Sequence, residues 1–261
     1  MIKLIASDID GTLVTDGSNQ VNPELFDVIL KLRAKGIQFA AASGRQWASI
    51  ESIFDPIKEK IFYLSDNGAY VGCHGRNLFI NTIERQTVMD MVREVRRTEG
   101  LEVMVSGPDV VYLETKDQEF LGWLINGYKF RVQCVDDLTK VNSEFIKVSV
   151  YRKSDVESYT KALRGAFSDR LKITIAGDMW MDCMKPGINK GQAVKLLQDS
   201  LGIKPEETMA FGDQLNDIEM LNQAYYSYAV GNARKEVKAA ARFQTDLNVN
   251  HGVLKILKLL L

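Results

Sequence analysis

Two carboxylates, Asp8 and Asp10, stand two residues apart where the apolar run Ile2 to Ala6 gives way to Ser7-Asp8-Ile9-Asp10-Gly11-Thr12. Like charges this close repel unless a cation or a proton is shared, so the pair suits a hard cation or acid–base work. It also suits a plain turn, since Asp and Gly are ordinary turn formers. Asp213 ends another apolar run and precedes Gln214-Leu215-Asn216-Asp217. Asp8, Asp10, Asp213 and Asp217 gathered at one edge would suit an octahedral Mg²⁺ completed by water. N-capping is the competing use for Asp213, Asn216 and Asp217. Ser43-Gly44 offers a hydroxyl and backbone N–H groups that would cradle an anion such as phosphate. Lys190 falls in the first turn of a predicted helix, where the macrodipole disfavours a cation by about 0.3–1 kcal/mol. An anionic or carboxylate partner would account for it. The stretch Gly187-Ile188-Asn189-Lys190-Gly191 lacks the first-glycine spacing and the Lys-Ser/Thr pair of a nucleotide P-loop, and that reading is rejected.

These residues need elements to hold them. Ile2 to Ala6, Ile37 to Ala42, Ile61 to Leu64 and Thr208 to Phe211 are short apolar runs that end in polar residues, as buried parallel strands do. Between them lie helical patterns. Asn22 and Pro23 open one with Leu25, Val28, Ile29 and Leu32 on one face and Gly36 as its stop, and Asn189 caps another through Val194 and Leu197 to Leu201. Further helices are expected around Ile50 and Ile53, from Asn216-Asp217, from Ala233 and over Val253 to Leu260, with a last strand at Tyr226 to Val230. Strands alternating with helices predict an α/β, Rossmann-like parallel sheet with its polar residues at the strand C-terminal ends.

The middle of the chain reads differently. A helix from Glu84 to Gly100 carries Val88, Met91, Val92 and Val95, and Leu101 to Val105 with Val110 to Leu113 resembles a hairpin. Ile146, Val148 and Val150 alternate with polar residues, which predicts a strand with one wet face. Ser154 and Glu157 form a capping-box pattern ahead of Tyr159, Ala162 and Leu163. Leu171 to Ala176 and Met179 to Met184 flank the turn Gly177-Asp178. The expected organisation is a discontinuous core, residues 1–82 and 186–261, interrupted by an α+β domain of antiparallel strands, residues 83–185.

Composition narrows the class. With 46% hydrophobic residues, 33 basic against 34 acidic side chains, 19 Gly and 5 Pro, the chain is neither disordered nor collagen-like. A formal charge of −1 supplies no general attraction to nucleic acid or anionic membrane, so no such partner is expected and anion handling must be local. The opening MIKLIASDID carries charge by its third residue and no apolar h-region, so a secretory leader is not expected. No window approaches the length of a membrane span. Cys73, Cys134 and Cys183 are few and widely spaced, which fits a reduced, cytoplasmic protein. Cys73 beside His74 lacks a second ligand pair at metal spacing and is not read as a site.

The ordered motifs carry a family resemblance. Asp8-Ile9-Asp10-Gly11-Thr12-Leu13, Ser43-Gly44-Arg45, Lys190-Gly191 and Gly212-Asp213-Gln214-Leu215-Asn216-Asp217 resemble the four motifs of haloacid dehalogenase-like phosphatases, of the Cof type with a class IIB cap. Asp66-Asn67-Gly68-Ala69 and Gly231-Asn232-Ala233 resemble further stretches of that branch. Gln214 stands where Asn or a small residue is usual, and Asp182 where Glu is usual in the cap's last strand. The resemblance implies that Asp8 is the nucleophile and Asp10 the acid–base group. It implies Mg²⁺ on the Asp8 side chain, the Asp10 carbonyl and the Asp213 side chain, with Asn216 or Asp217 at or just outside the ligand set. Ser43, the Gly44 N–H, Lys190 and Asn216 would hold the phosphoryl group.

The implied substrate is a small phosphorylated metabolite such as a sugar phosphate, chosen by a cap that closes over the site. No protein partner is implied. Arg45, Asp178, Trp180 and Asp182 are candidate cap or substrate contacts, with hairpin packing the competing use for Trp180. Arg93, Arg96 and Arg97 read as a solvated helix face. A phosphotransferase or phosphomutase on the same scaffold is the alternative activity. A receiver-like phosphoacceptor is disfavoured, because it needs neither Asp10 nor a cap.

Overall fold

In chain order, β1 (Leu4–Asp8), α1 (Glu24–Ala34), β2 (Gln38–Ala42), α2 (Trp47–Ile53), β3 (Phe62–Ser65), β4 (Tyr70–Cys73) and β5 (Arg76–Ile80) open the molecule. The computed structural model describes residues 1–15, 18–73, 75–176 and 179–261, so His74 and the predicted Gly177-Asp178 turn, with Asp178, lie outside the described residues. Next come α3 (Arg85–Arg96), β6 (Glu102–Ser106), β7 (Val111–Leu113), α4 (Gln118–Gly122), β8 (Val132–Cys134), β9 (Lys147–Tyr151), α5 (Glu157–Phe167), β10 (Lys172–Ala176) and β11 (Trp180–Met184). The chain closes with α6 (Lys190–Leu201), β12 (Thr208–Gly212), α7 (Ile218–Asn222), β13 (Tyr226–Ala229), α8 (Lys235–Ala240), β14 (Phe243–Gln244) and α9 (Gly252–Lys258). Two compact units result, residues 1–79 with 189–261, and residues 80–188. No helix among the described residues is long and apolar enough to cross a membrane.

The first unit has the parallel α/β class expected from the sequence. Its sheet runs β14-β13-β12-β1-β2-β3-β4-β5 among the described residues, with each adjacent pair from β14 to β3 parallel and β4 antiparallel to β3. β1 is buried throughout, as a central strand with a neighbour on each side must be. Asp8 pairs in register with Ala42 of β2, and Ser7 with Phe211 of β12, so all three strands end together. The sequence order reverses across β1, which opens a crevice at the strand C-termini. Two helix starts follow the predicted chemistry: Asn22 Oδ1 accepts the Glu24 N–H at 3.0 Å, and Asn189 Oδ1 accepts the Gln192 N–H at 2.8 Å. The β4 and β5 extension was not anticipated, because its short runs lack a clear alternation.

The second unit has a sheet of order β10-β11-β9-β6-β7-β8. Its pairs are antiparallel except β7 with β8, which is parallel and departs from the all-antiparallel expectation. Val88, Met91, Val92 and Val95 of α3 pack with Val103, Val105, Val148 and Val150 on one face. On the other face Phe120, Leu121 and Leu124 gather with Met104, Val111, Leu113, Tyr151 and Trp180. Trp180 is therefore aromatic packing, its ring 5.9 Å from Trp123 and 4.8 Å from Tyr151.

Two local expectations fail here for physical reasons. β9 has no wet face: Lys147 and Ser149 are 5% and 2% exposed. Alternation reports a change of neighbours, and these polar side chains meet one another: Ser149 donates to Asp182 Oδ1 at 2.7 Å, and Lys147 Nζ lies 3.9 Å from Asp182 Oδ2. The capping box is not formed. Asp155 takes φ +54°, and α5 begins only at Glu157 behind Val156, with no side-chain cap. Arg93, Arg96 and Arg97 are all exposed, as a solvated helix face requires, and Arg96 also binds Glu114 and Asp137.

Candidate active site

Three strand ends and one helix start deliver polar groups to the crevice. Asp8 closes β1, Ser43 follows β2, Asp213 follows β12, and Lys190 opens α6. Asp217 ends the short 3₁₀ turn Leu215–Asp217 that precedes α7. Carboxylate oxygens of Asp8, Asp213 and Asp217 come within 4.8 Å of one another, and all three residues are buried. Lys190, 1% exposed, donates from Nζ to Asp8 Oδ1 and to Asp217 Oδ1, each at 2.6 Å. These are the carboxylate partners that a lysine set against a helix dipole requires.

The loops around the cluster are closely fitted. Asp217 Oδ2 accepts the backbone N–H groups of Asp213 and Gln214, both at 2.9 Å. Thr12 donates to Asp213 Oδ1 at 2.7 Å, and Gln214 Nε2 to Asp213 Oδ2 at 3.1 Å. Gly11 takes φ +78°, and a Cβ there would lie 2.3 Å from Asp213 Oδ2. Only glycine lets the chain pass the carboxylate at that distance. At Gly212 a Cβ would lie 2.5 Å from the Asp217 Cβ, so the side chain is excluded there by space. Asn232 Nδ2 donates to the Gly11 carbonyl at 2.7 Å, which gives the Gly231-Asn232-Ala233 stretch a use that the sequence left open.

Ser43 is buried, and its Oγ accepts the Arg45 N–H at 3.1 Å. Gly44 lies against Asn67, whose amide would sit 3.3 Å from a Cβ at residue 44. Asn67 takes φ +54° and accepts the Asn216 amide at Oδ1, 2.9 Å away. Asn216 is thus brought to Asn67. Asn67 belongs to the Asp66-Asn67-Gly68-Ala69 stretch singled out in the sequence, whose turn signal marks a strand end but does not name its contacts. The Asp10 side chain stands apart from the three-carboxylate cluster. Its two oxygens receive Arg45 Nε at 2.8 Å and Arg45 Nη2 at 2.6 Å. Arg45, read from sequence as a cap or substrate contact, is therefore a partner of Asp10.

Electrostatics mark the cluster as incomplete. Burial, then the neighbouring Asp217, push the Asp8 carboxyl well above the ordinary carboxylate range, with Lys190 opposing. Burial also raises Asp213, partly offset by the Thr12 hydrogen bond. Burial alone would lower Lys190, but Asp217 and Asp8 outweigh it and hold the ammonium above its usual value. Three carboxylates share one ammonium, so an excess of negative charge remains in a dry setting. A hard divalent cation fits that donor set and that charge.

A sequence model of the haloacid dehalogenase-like hydrolases matches residues 5–257. The chain belongs to this family. The 5-amino-6-(5-phospho-D-ribitylamino)uracil phosphatase YbjI of Escherichia coli (strain K12) is 30% identical over 257 residues, which span 98% of this chain and 95% of that protein. A crystal structure from Eubacterium rectale is 38% identical with TM-score 0.93, covering 100% of this chain and 99% of that one. The HAD subclass IIB sugar phosphatase BT4131 is 25% identical with TM-score 0.83, covering 99% and 98%. This haloacid dehalogenase-like hydrolase is an enzyme of the phosphatase type, as the motifs implied.

Proposed function

We propose that this phosphatase hydrolyses a small phosphomonoester through an aspartyl phosphate on Asp8, with Mg²⁺ as its cofactor. The observation that carries the reading is the buried Asp8 carboxylate, held at one oxygen by Lys190 and set beside Asp213 in a cluster short of positive charge. Asp8 attacks phosphorus while Asp10 gives a proton to the departing ester oxygen. Water then attacks the same phosphorus, gives its proton to Asp10, and the Asp8 oxygen leaves. Lys190 fixes the nucleophile and stands ready for phosphoryl charge, with Ser43 and the Gly44 N–H as further donors.

The side chains of Asp8 and Asp213 and the Asp10 carbonyl would hold the cation. Bound Mg²⁺ would neutralise charge on the phosphoryl oxygens. The Asp217 oxygens already take three donors, so we assign Asp217 to holding Lys190 and the Asp213 loop. Asn216 holds Asn67, the residue that lies against Gly44.

Residues 1–82 and 186–261 are read as the catalytic core, and residues 83–185 as the cap that decides which ester is accepted. A protein with reduced cysteines and this activity fits the cytoplasm. The ester named for YbjI is the first substrate to try, followed by sugar phosphates. Phosphate release should be measured across a panel of such esters, with and without EDTA. Release that EDTA abolishes, with a phosphoryl mass increment trapped on the peptide containing Asp8, is the expected result. Release undiminished by EDTA would remove the metal, and an unlabelled Asp8 peptide under turnover would remove the covalent step.

A further inference from the structure

Among the described residues, the Asp10 carboxylate is held by one side chain, which is more deeply buried than itself. Arg45 is 6% exposed and the Asp10 side chain 30%. Its Nε and Nη2 meet the two Asp10 oxygens at 2.8 and 2.6 Å. Two further bonds hold the guanidinium: Nη2 donates to the Ser18 carbonyl at 3.0 Å and Nη1 donates to Asn19 Oδ1 at 2.5 Å. The Arg45 backbone is fixed as well, its N–H on Ser43 Oγ and its carbonyl taken by the Asp66 N–H at 2.9 Å. An exposed ion pair contributes little, but a buried planar fork anchored by further hydrogen bonds sets both the position and the plane of a carboxylate.

We infer that Arg45 is a positioning residue, holding Asp10 in the orientation from which it moves protons. This rests on the reading of Asp10 as the acid–base group. A carboxylate has about four lone-pair sites and the fork takes two, so one on each oxygen remains for proton transfer. In the first step the proton leaves an Asp10 oxygen as the phosphorus–oxygen bond breaks and its electron pair passes to the ester oxygen. In the second the proton leaves water as its oxygen bonds to phosphorus, and the electron pair of the broken bond returns to Asp8. Both transfers need one carboxylate plane, and misplacement by about 1 Å costs on the order of 10²-fold.

The test is a double-mutant cycle of Arg45→Ala and Asp10→Asn, read as kcat and KM on p-nitrophenyl phosphate and on an ester the wild type hydrolyses. Arg45→Ala should lower kcat about 10- to 100-fold with KM nearly unchanged. Added guanidinium should restore part of it. In the Asp10→Asn background the same change should cost less than about twofold, because the two residues act as a unit. A full, additive loss in the double variant, or unchanged kcat in Arg45→Ala, overturns the proposal. Should Arg45→Ala lose its near-ultraviolet circular dichroism, Arg45→Lys decides: it keeps the charge without the fork, so wild-type kcat there overturns the proposal and a loss without KM change supports it. Undiminished turnover in Asp10→Asn alone refutes the acid–base reading itself. A dead Asp10→Asn beside a fully active Arg45→Ala refutes only the positioning.

Discussion

Lys190 in the core and Arg96 in the inserted unit each meet two carboxylates, Asp8 and Asp217 in one case, Glu114 and Asp137 in the other. The arrangements are alike on paper and opposite in effect. Arg96, then Thr139, hold the Asp137 carboxyl below its ordinary range. Burial, then Asp217, hold the Asp8 carboxyl above it although Lys190 is in contact. Solvent separates the two cases. The side chains of Arg96, Glu114 and Asp137 are 37, 23 and 28% exposed, so water screens their mutual charge, whereas Lys190, Asp8 and Asp217 are 1, 6 and 0% exposed. The core also carries a third carboxylate, Asp213. One network is complete as a structural tie; the other keeps an excess of negative charge that folding alone does not require.

The comparison breaks most visibly at the level of turnover. Asp8→Asn should reduce kcat on any accepted ester by roughly 10⁴-fold or more, since the nucleophile is gone. Glu114→Gln, in the other network, should leave kcat within about twofold. Stability should differ next. Lys190→Met leaves Asp8 and Asp217 buried beside each other, and breaking a buried pair in this way costs about 3–5 kcal/mol. Arg96→Met breaks a half-exposed pair and should cost about 1 kcal/mol or less. Urea unfolding of the two variants at pH 7 decides, and equal losses would mean that burial does not distinguish the networks.

The sequence made the core residues visible because each motif stands at a strand end, where a buried apolar run changes abruptly into Asp, Ser or Gly. That position singled out Asp8, Ser43 and Asp213 but left turns and N-caps open until the four motifs were taken in order, and Lys190 was conspicuous for standing against its helix dipole. The parallel sheet followed from the alternation of the same runs with capped helices. Arg45 shows the limit of such reading: its partner lies 35 positions away, and spacing cannot pair a fork with a carboxylate across two strands. In the inserted unit, Lys147 and Ser149 announced polarity but not burial, because their shared neighbour Asp182 arrives from another strand. Ser154 and Glu157 had the spacing of a capping box, but the left-handed Asp155 between them moved the helix start past it.

Removing charge should sharpen the contrast further. Asp213 has a raised carboxyl, so its contribution to stability is full below the unfolded value near 4 and is lost as pH rises through the folded value. Asp213→Asn should therefore raise Tm in EDTA at pH 8 by about 2–4 °C, and raise it less as pH falls and the native carboxyl takes up its proton. Added Mg²⁺ should then raise the wild-type Tm more than the variant's. A variant with lower Tm at pH 8 would show that the Thr12 and Gln214 hydrogen bonds outweigh the repulsion.

The smallest effect belongs to Asp137, and its sign is reversed. Its carboxyl is depressed, so the stability it contributes is present above the unfolded value near 4 and is lost as pH falls toward the folded one. Trp123 and Trp180 stack within the unit that holds this network, so tryptophan fluorescence reports its melting, with Trp47 as the signal from the other unit. Asp137→Asn should lower that melting point at pH 7 by less than about 2 °C, and the gap should narrow steadily between pH 5 and pH 3. Half-molar salt should narrow it too, because exposed charges are screened over a few ångströms there. The loss in Lys190→Met, set in a dry cluster, should resist the same salt. A gap in Asp137→Asn that ignores both pH and salt would mean that Asp137 acts by bonding the Thr139 N–H and hydroxyl rather than by its charge toward Arg96.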